Sequence, residues 1–396
     1  RSNGGKIRSS ETRLRRLGYF ETVSITPLRT DQRDVRDLRV HVEESNTGRF
    51  AISGAYSSDD DVVGKLELGQ SNFDLFGWKR DFQGDGQRFF LSASAGSDQR
   101  AYKLNFTEPW LFDRRLRFDL SLWDRETSSD REYDEIRSGG SIKLTRSLDW
   151  RYWRYDLGYR LERINVEEID PTYSDAFIAR ESGPANASVV TVGLTRDSRD
   201  SFQFASRGSR LRLEVEHQNE DIGSYTTSNR VILDGKLYLP LRLKSKLLPK
   251  AYSPVLRLTG RVGTLVRVRG DELRSFDRFY AGGQSTIRGY DSREVGPVDP
   301  VNAEPTGGKS ILLTSAEMAQ PLVAEQIYGV LFVDAGNVWA GSWDWAADEL
   351  NISAGVGLRI RMALGNIALD YGIPLETQQE HLDDDAQFHF SIGYGF

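Results

Sequence analysis

Apolar and polar side chains alternate along most of the chain, and this pattern restricts the possible folds more than any other feature. Between residues 206 and 217, for example, Leu211, Leu213 and Val215 alternate with charged residues. Successive side chains of a β-strand point to opposite faces, so such a segment predicts a strand with one apolar and one polar face. We count sixteen such segments from residue 49 to the end of the chain, with no convincing amphipathic helix between them.

The sixteen segments predict a membrane barrel rather than a soluble sheet. The chain has 396 residues and a mean hydropathy of −0.50, with no apolar run approaching the roughly 18 residues of a transmembrane helix. In a transmembrane β-barrel the alternation hides the apolar content from the mean hydropathy, and single-chain bacterial barrels have an even strand number. A soluble sheet would need helices over its apolar face. We therefore predict an all-β membrane protein, a sixteen-stranded antiparallel transmembrane β-barrel over residues 47–396.

The connections between the segments differ in length in a regular way. Short connections occur at 147–149 and 361–364, whereas long acidic ones occur at 167–186, about 267–307 and 372–387. The connection at 71–87 is an exception, because it is long although it falls on the side of the barrel where short connections are expected. Short turns at one end and long loops at the other are typical of membrane barrels.

The first 46 residues have a different character. Residues 9–17 predict a short helix that ends at Gly18, and residues 20–28 and 36–44 predict two strands. One helix and two strands cannot enclose a core of their own. The chain also begins at Arg1 without a signal peptide, which we interpret as a processed or truncated start.

The loop at about 267–307 contains the sequence FYAGGQSTIRGY, in which Arg288 lies between Ile287 and the pair Gly289 and Tyr290. Glycines allow the backbone to fold tightly. The loop can therefore turn Arg288 inward, toward an acidic partner.

The first and last barrel segments meet where the barrel closes. Phe50 and Ile52 lie on the apolar face of the first. The last segment alternates and ends on an aromatic residue, and its candidate seam residues are Phe390, Ile392, Gly393, Tyr394, Gly395 and Phe396. Glycine weakens strand pairing, so this seam is a candidate weak point of the barrel wall. Cysteines at Ile52 and Ile392 are the positions that we choose for cross-linking the two strands. The alternative is that these glycines only relieve crowding in the lumen.

Together, the loop and the terminal strand resemble the outer-membrane β-barrel assembly family, whose loop signature is [VI]-R-G-[FY] and whose last strand ends in an aromatic residue. TEPWLFD (107–113), GLTRDSRDSFQFASRGSRL (193–211) and VEESNTGRF (42–50) are also similar to its BamA-like group. LRRLGYFETVSI in the first 46 residues resembles part of a POTRA domain, a periplasmic α+β module. The resemblance thus implies a truncated POTRA domain at 1–46, followed by the barrel at 47–396.

The resemblance implies that the long loop folds into the lumen, where its arginine meets a glutamate and an aspartate on the next two strands. Glu317 and Asp334 match those positions. A planar guanidinium suits carboxylates, and a partly buried charge needs a partner. The alternative is that Glu317 and Asp334 line the lumen separately.

The function implied by the resemblance is folding and insertion of client proteins. The seam opens, a client strand pairs with the exposed edge, and the nearby bilayer is thinned. The partners implied are unfolded outer-membrane β-barrel clients, accessory assembly lipoproteins bound through POTRA domains, and outer-membrane lipid. The implied location is the bacterial outer membrane, with the POTRA remnant in the periplasm.

Two alternatives stay open. A TamA-like translocation and assembly module shares AGG-x-x-[SI]-x-RGY and a following VGP, which is present at 295–297. A two-partner secretion pore would instead export a polypeptide through the barrel. The number of POTRA domains separates these groups.

Enzymatic and cofactor chemistry is not expected. His389 and Ser391 share the lumenal face of the last strand, but no nucleophile motif surrounds them. No cysteine is present, and the run Asp383, Asp384 and Asp385 is more typical of a solvated loop tip than of a calcium site. The formal net charge of −6 gives no basic excess for binding nucleic acid. We predict no enzyme activity, no cofactor, no metal and no nucleic acid.

Overall fold

The fold is taken from a computed structural model, which describes residues 7, 10–12, 14, 18–30, 36–57, 61–128, 133–148, 152–202, 204–241, 253–323, 326–362 and 365–393. Sixteen antiparallel strands form a closed barrel, which confirms the predicted fold class. No helix of the described residues is long and apolar enough to span a membrane.

Two strands precede the barrel, β1 (Phe20–Arg29) and β2 (Arg36–Glu44). The barrel strands are β3 (Gly48–Ser57), β4 (Asp61–Phe73), β5 (Gln87–Gly96), β6 (Gln99–Glu108), β7 (Leu116–Thr127), β8 (Asp134–Ser147), β9 (Trp153–Glu167), β10 (Gly183–Asp197), β11 (Gly208–Gln218), β12 (Thr226–Pro240), β13 (Val255–Gly270), β14 (Ser310–Val323), β15 (Ile327–Trp339), β16 (Asn351–Met362), β17 (Gly365–Glu376) and β18 (Gln387–Gly393). Each pairs with the next in the chain, and β18 returns to β3.

Alternation along each strand separates the two faces of the wall. Leu211 and Leu213 of β11 are exposed on the outside, as are Leu233 and Leu237 of β12. The residues between them point into the lumen and carry most of the charge. In a closed barrel each strand has a neighbour on both sides, so backbone N–H and C=O groups hydrogen-bond between strands. This pairing is the condition for β-strands to span the hydrocarbon core of a membrane.

The connections 168–182 and 271–309 lie at one end of the barrel, which we name the long-loop end, and we name the opposite end the short-turn end. The predicted division by length holds only in part, because the long connection 74–86 lies at the short-turn end and the short connection 97–98 at the long-loop end.

Several boundaries differ from the prediction. Strand β17 continues to Glu376, so the connection predicted at 372–387 begins only after that residue. Strand β13 continues to Gly270, because its last residues still pair with the start of β12 beyond an irregularity at Thr227/Ser228. The inward loop therefore comprises residues 271–309. The connection after β9 contains a helix, α1 (Asp175–Glu181), with Ser174 as its N-cap, and β10 begins at Gly183 instead of 187.

Before the barrel, β1 and β2 form an antiparallel two-stranded sheet, as expected for residues 20–28 and 36–44. The predicted helix at 9–17 lies largely outside the described residues, of which 10–12 and 14 are helical. The Tyr19 hydroxyl donates to the carbonyl oxygen of Gly86 (3.0 Å) and so connects this segment to the turn between β4 and β5. The assignment of residues 1–46 to a POTRA domain stays a prediction.

Candidate functional site

The loop of residues 271–309 folds back into the lumen. Pairs of bridged residues close it upon itself, at Phe279 and Gly308 and at Ala281 and Val295. Its apolar side chains join inward-facing residues of the wall, and one residue of the connection after β17, in one buried cluster. The members are Leu265, Leu273, Phe279, Ala281, Ile287, Tyr290, Val295, Ile311, Leu313, Val338 and Leu382. Burial of a large apolar side chain contributes about 1.5–3 kcal/mol, so this cluster favours the docked loop.

Arg288 lies at the tip of the docked loop and forms a two-pronged contact with Asp334 of β15. Its Nε donates to Oδ2 (2.7 Å) and its Nη2 to Oδ1 (2.8 Å), while its backbone N–H also donates to Oδ2 (3.2 Å). Only 5% of Arg288 and 1% of Asp334 is exposed. This fork geometry is the strongest form of arginine–carboxylate contact.

Glu317 of β14 accepts a second bond from Arg288, with Nη1 at 2.8 Å from Oε2. Its other oxygen, Oε1, lies 2.9 Å from Arg257 of β13. Arg359 of β16 adds a further cation, at 3.6 Å from Glu317 and 2.8 Å from Asp370 of β17.

The charges of this cluster therefore balance. Three arginines (Arg257, Arg288 and Arg359) face three carboxylates (Glu317, Asp334 and Asp370). The residues that sequence reasoning proposed as partners of Arg288 lie against it. Arg257, Arg359 and Asp370 had not been proposed, and each occupies an inward position on a strand.

Two further effects stabilise the guanidinium of Arg288. Its Cζ lies 3.5 Å from the ring centroid of Phe332, a cation–π contact. Burial alone lowers the pKa of Arg288, but the hydrogen bonds to Asp334 and the nearby carboxylate charges outweigh burial and raise the pKa above its usual value. The arginine therefore stays charged.

Gly289 is bound to the last two strands of the barrel. Its backbone N–H donates to Nε2 of His389 on β18 (3.0 Å). A Cβ on Gly372 of β17 would lie 2.5 Å from the Gly289 nitrogen, so only a glycine at 372 allows this approach. Gly289 itself has φ +94°, a conformation that favours glycine. Sequence reasoning missed Gly372 and the contact of His389, since neither belongs to a recognisable motif.

Tyr290 anchors the other side of the loop tip. Its hydroxyl donates to the carbonyl oxygen of Glu376, at the end of β17 (2.9 Å). Ile287 has no exposed surface and packs in the apolar cluster. The four motif residues thus reach β14, β15, β17 and β18.

The seam between β18 and β3 is short. Within the described residues only two register pairs join these strands, Ser391 with Ser57 and Ile392 with Tyr56, whereas β17 and β18 share seven. The rings of Tyr56 and Phe390 lie 5.5 Å apart across the seam.

The remaining seam candidates occupy different positions. Phe50 and Ile52 are exposed on the outer face of β3, where they lie opposite Leu68 and Leu66 of β4. Tyr394, Gly395 and Phe396 lie outside the described residues. Ile392 faces Tyr56, so Ile52 is four residues from the facing position, about 13 Å along the strand. The cross-linking choice of Ile52 with Ile392 is therefore wrong, because alternation does not reveal the register of a closed barrel.

At the long-loop end, α1 and its N-cap cover the inward loop. Glu181, fully buried at the end of α1, accepts bonds from the backbone N–H (3.0 Å) and hydroxyl (2.9 Å) of Ser275. The hydroxyl of Ser174 donates to Asp299 (2.5 Å). The two loops are thus hydrogen-bonded to each other at this end.

The residues considered for enzymatic or metal chemistry have other surroundings. His389 accepts the bond from Gly289, and the hydroxyl of Ser391 is buried and has no hydrogen-bond partner in the described structure. Asp383, Asp384 and Asp385 are exposed. Within the described ranges, no group of three or more metal-ligating side chains is arranged to hold an ion.

Comparisons with known proteins agree with this architecture. A family model described as the Omp85 superfamily domain matches residues 81–396. The outer membrane protein assembly factor BamA of Nitratidesulfovibrio vulgaris is 28% identical over 99% of this chain. The chain spans about half the length of that relative, 47%.

Solved structures show the same fold. BamA from Haemophilus ducreyi lacking POTRA domains 1–3 has a TM-score of 0.80 at 19% identity, over 98% of this chain and 78% of that one. CdiB from Acinetobacter baumannii has a TM-score of 0.61 at 14% identity, over 97% of this chain and 67% of that one. Because the family model matches 316 of 396 residues, and the barrel has the expected architecture, the chain belongs to the Omp85 superfamily.

Proposed function

We propose that this chain is the membrane part of an outer-membrane protein assembly factor, which folds and inserts client β-barrel proteins at the seam between β3 and β18. It resides in the bacterial outer membrane, with the short-turn end and residues 1–46 toward the periplasm. Its partners are unfolded barrel clients, outer-membrane lipid and, through POTRA domains, accessory lipoproteins.

The observation that carries the proposal is the short pairing of the seam. Among the described residues, β3 and β18 share two register pairs, at Tyr56 and Ser57, and Gly393 lies against Ala55, whereas β17 and β18 share seven pairs. A boundary with few pairs separates at a smaller cost than the other strand boundaries. Once it opens, each unpaired backbone group in hydrocarbon costs several kcal/mol, which favours pairing with an incoming strand. Client folding then supplies the free energy, and no nucleotide is needed.

The loop motif provides the second part of the proposal. Arg288 holds the loop against β14 and β15, whereas Gly289 holds it against β17 and β18. The docked loop thus connects one edge strand of the seam to the interior wall. In this proposal Ile287, Arg288, Gly289 and Tyr290 keep the C-terminal half of the barrel rigid while the edge of β3 is offered to a client.

The alternative function, export of a polypeptide through the lumen, has less support from the structure than insertion at the seam. The loop of residues 271–309 lies in the lumen and is held there by a balanced group of buried ion pairs. An exported chain would have to displace it.

Reconstitution into lipid vesicles tests the proposal. An unfolded outer-membrane barrel protein is mixed with vesicles that contain the chain, or with empty vesicles of the same lipid. We expect faster appearance of folded, protease-protected client in the membrane of the first set. The readout is the gel mobility of folded and unfolded client. An equal rate in both sets of vesicles would contradict insertion, and soluble client inside the vesicles would support export.

A further inference from the structure

The outer wall of the barrel carries two arginines at the short-turn end. Arg146 is the last residue but one of β8, and Arg196 is the last residue but one of β10. Arg196 lies directly opposite Leu211, whose side chain is exposed on the outside. Arg146 lies directly opposite Tyr155 of β9, which in turn faces the exposed Leu194. Residues directly opposite each other share a face of the sheet, so both arginines belong to the surface that meets lipid.

On this face the neighbours of the two arginines carry no charge. Their cross-strand neighbours are apolar or aromatic, namely Leu116 and Tyr155 for Arg146, and Trp153 and Leu211 for Arg196. Over the residues that the structure describes, neither arginine forms an ion pair. Nη1 of Arg196 donates to Oγ of Ser209 (3.1 Å), which uses one of the five N–H groups of the guanidinium.

The carboxylates near the two arginines have other partners. Glu108 of β6 faces outward but lies two strands from Arg146, and it accepts a bond from Nε2 of Gln87 (3.0 Å). Asp197 follows Arg196 in the chain, so it points into the lumen, where it binds Arg199 (2.8 Å). Within the described ranges, the positive charge on this part of the outer face is therefore not compensated by the protein.

The level of the arginines in the membrane indicates what compensates them. A charged side chain on the lipid face of a barrel is costly at the bilayer midplane and costs little at the interface. Both strands end one residue after their arginine, and Trp153 and Tyr155 on β9 between them are residue types typical of the interface. The acceptors that lipid offers at this level include headgroup phosphates, which a guanidinium binds through two parallel hydrogen bonds.

We propose that Arg146 and Arg196 form a binding site for the phosphate groups of anionic phospholipids, in the leaflet at the short-turn end. The arginines stand on strands separated by β9 alone, about 10 Å apart across the wall. Two cations without a counter-charge attract lipids of net negative charge more strongly than zwitterionic lipids. Five strands separate β9 from β3 and eight separate it from β18, so the site does not depend on what happens at the seam.

Photoreactive phospholipids test the site in nanodiscs that hold the whole chain. Phosphatidylglycerol is the anionic probe, and phosphatidylcholine with the same acyl chains is the zwitterionic one. Peptides of β8 to β10 that carry a probe are identified by mass. Arg146→Gln and Arg196→Gln each remove one charge. Lys143→Gln is the matched control, because Lys143 is also on β8 but follows the outward-facing Ile142 and so points into the lumen.

We expect phosphatidylglycerol to label β8 to β10 more strongly than phosphatidylcholine does, in the unmodified chain and in Lys143→Gln alike. The ratio of the two labelling yields should fall about fivefold in Arg146→Gln and in Arg196→Gln, the factor expected for one cation at an anionic membrane surface. An equal ratio in all four proteins would overturn the proposal. Loss of the preference in inorganic phosphate, but not in chloride of the same ionic strength, would also overturn it, by showing a site for free phosphate.

Discussion

Replacing Asp334 with asparagine is expected to lower the free energy of unfolding of the barrel by about 3–5 kcal/mol, the range for breaking a buried ion pair. The variant leaves Arg288, of which 5% is exposed, without its two-pronged partner. Glu317 cannot compensate, because it already shares its charge with Arg257. The group of three arginines and three carboxylates thus acquires an uncompensated positive charge.

Asp234→Asn is the matched control for this prediction. Asp234 pairs with Arg261 (2.6 Å), but the side chains are 28% and 48% exposed. Exposed pairs of this kind contribute about 0–1 kcal/mol. Urea-induced unfolding in detergent micelles measures both variants. If Asp334→Asn and Asp234→Asn unfold at the same urea concentration, the cluster around Arg288 does not hold the loop as described.

The second large effect is expected for Gly372→Ala. The new Cβ would lie 2.5 Å from the nitrogen and 2.8 Å from the Cα of Gly289, and backbone atoms cannot give way as a flexible side chain can. Overpacking typically costs about 1–3 kcal/mol, so the population with an undocked loop should rise roughly 5- to 150-fold. Trypsin cleavage after Arg288, identified by the masses of the fragments, measures this population, because the buried Arg288 becomes accessible only when the loop leaves the wall.

Gly158→Ala provides the comparison. Gly158 is another glycine of the barrel wall, on β9, but the nearest atoms to a Cβ there are 3.6 Å away, which is ordinary contact. We expect its loop to be cleaved at the rate of the unmodified chain. Equal cleavage of Gly372→Ala and Gly158→Ala would mean that the approach of Gly289 to β17 does not control docking.

The barrel itself was predictable because alternation is a local property that every strand displays. A segment such as 206–217 shows both faces of its strand without any knowledge of its neighbours. The strand count and the antiparallel order follow from this pattern, and the structure confirms them. Helix α1 was missed because seven residues are too few to show a helical period against the surrounding loop.

The candidate site was predictable only where a motif marks it. Arg288 stands in a short glycine-rich sequence, and the resemblance supplied Glu317 and Asp334 as its partners. Gly372 and His389 both contact the backbone nitrogen of Gly289, which is about a hundred positions away in the chain. A contact of this kind leaves no pattern in the sequence. The register of the seam was unpredictable for a related reason, since it depends on the stagger of all sixteen strands.

The central claim is that clients enter the membrane through an opening seam. The test is insertion by Tyr56→Cys/Ile392→Cys, a variant whose two cysteines face each other across β3 and β18 in a chain without other cysteines. Phe50→Cys/Leu68→Cys, which joins β3 to β4 instead, is the matched control. Client folding in vesicles is measured with each disulfide formed and after reduction. We expect the seam disulfide alone to stop insertion, and reduction to restore it. Insertion at the normal rate with the seam disulfide intact would contradict the account.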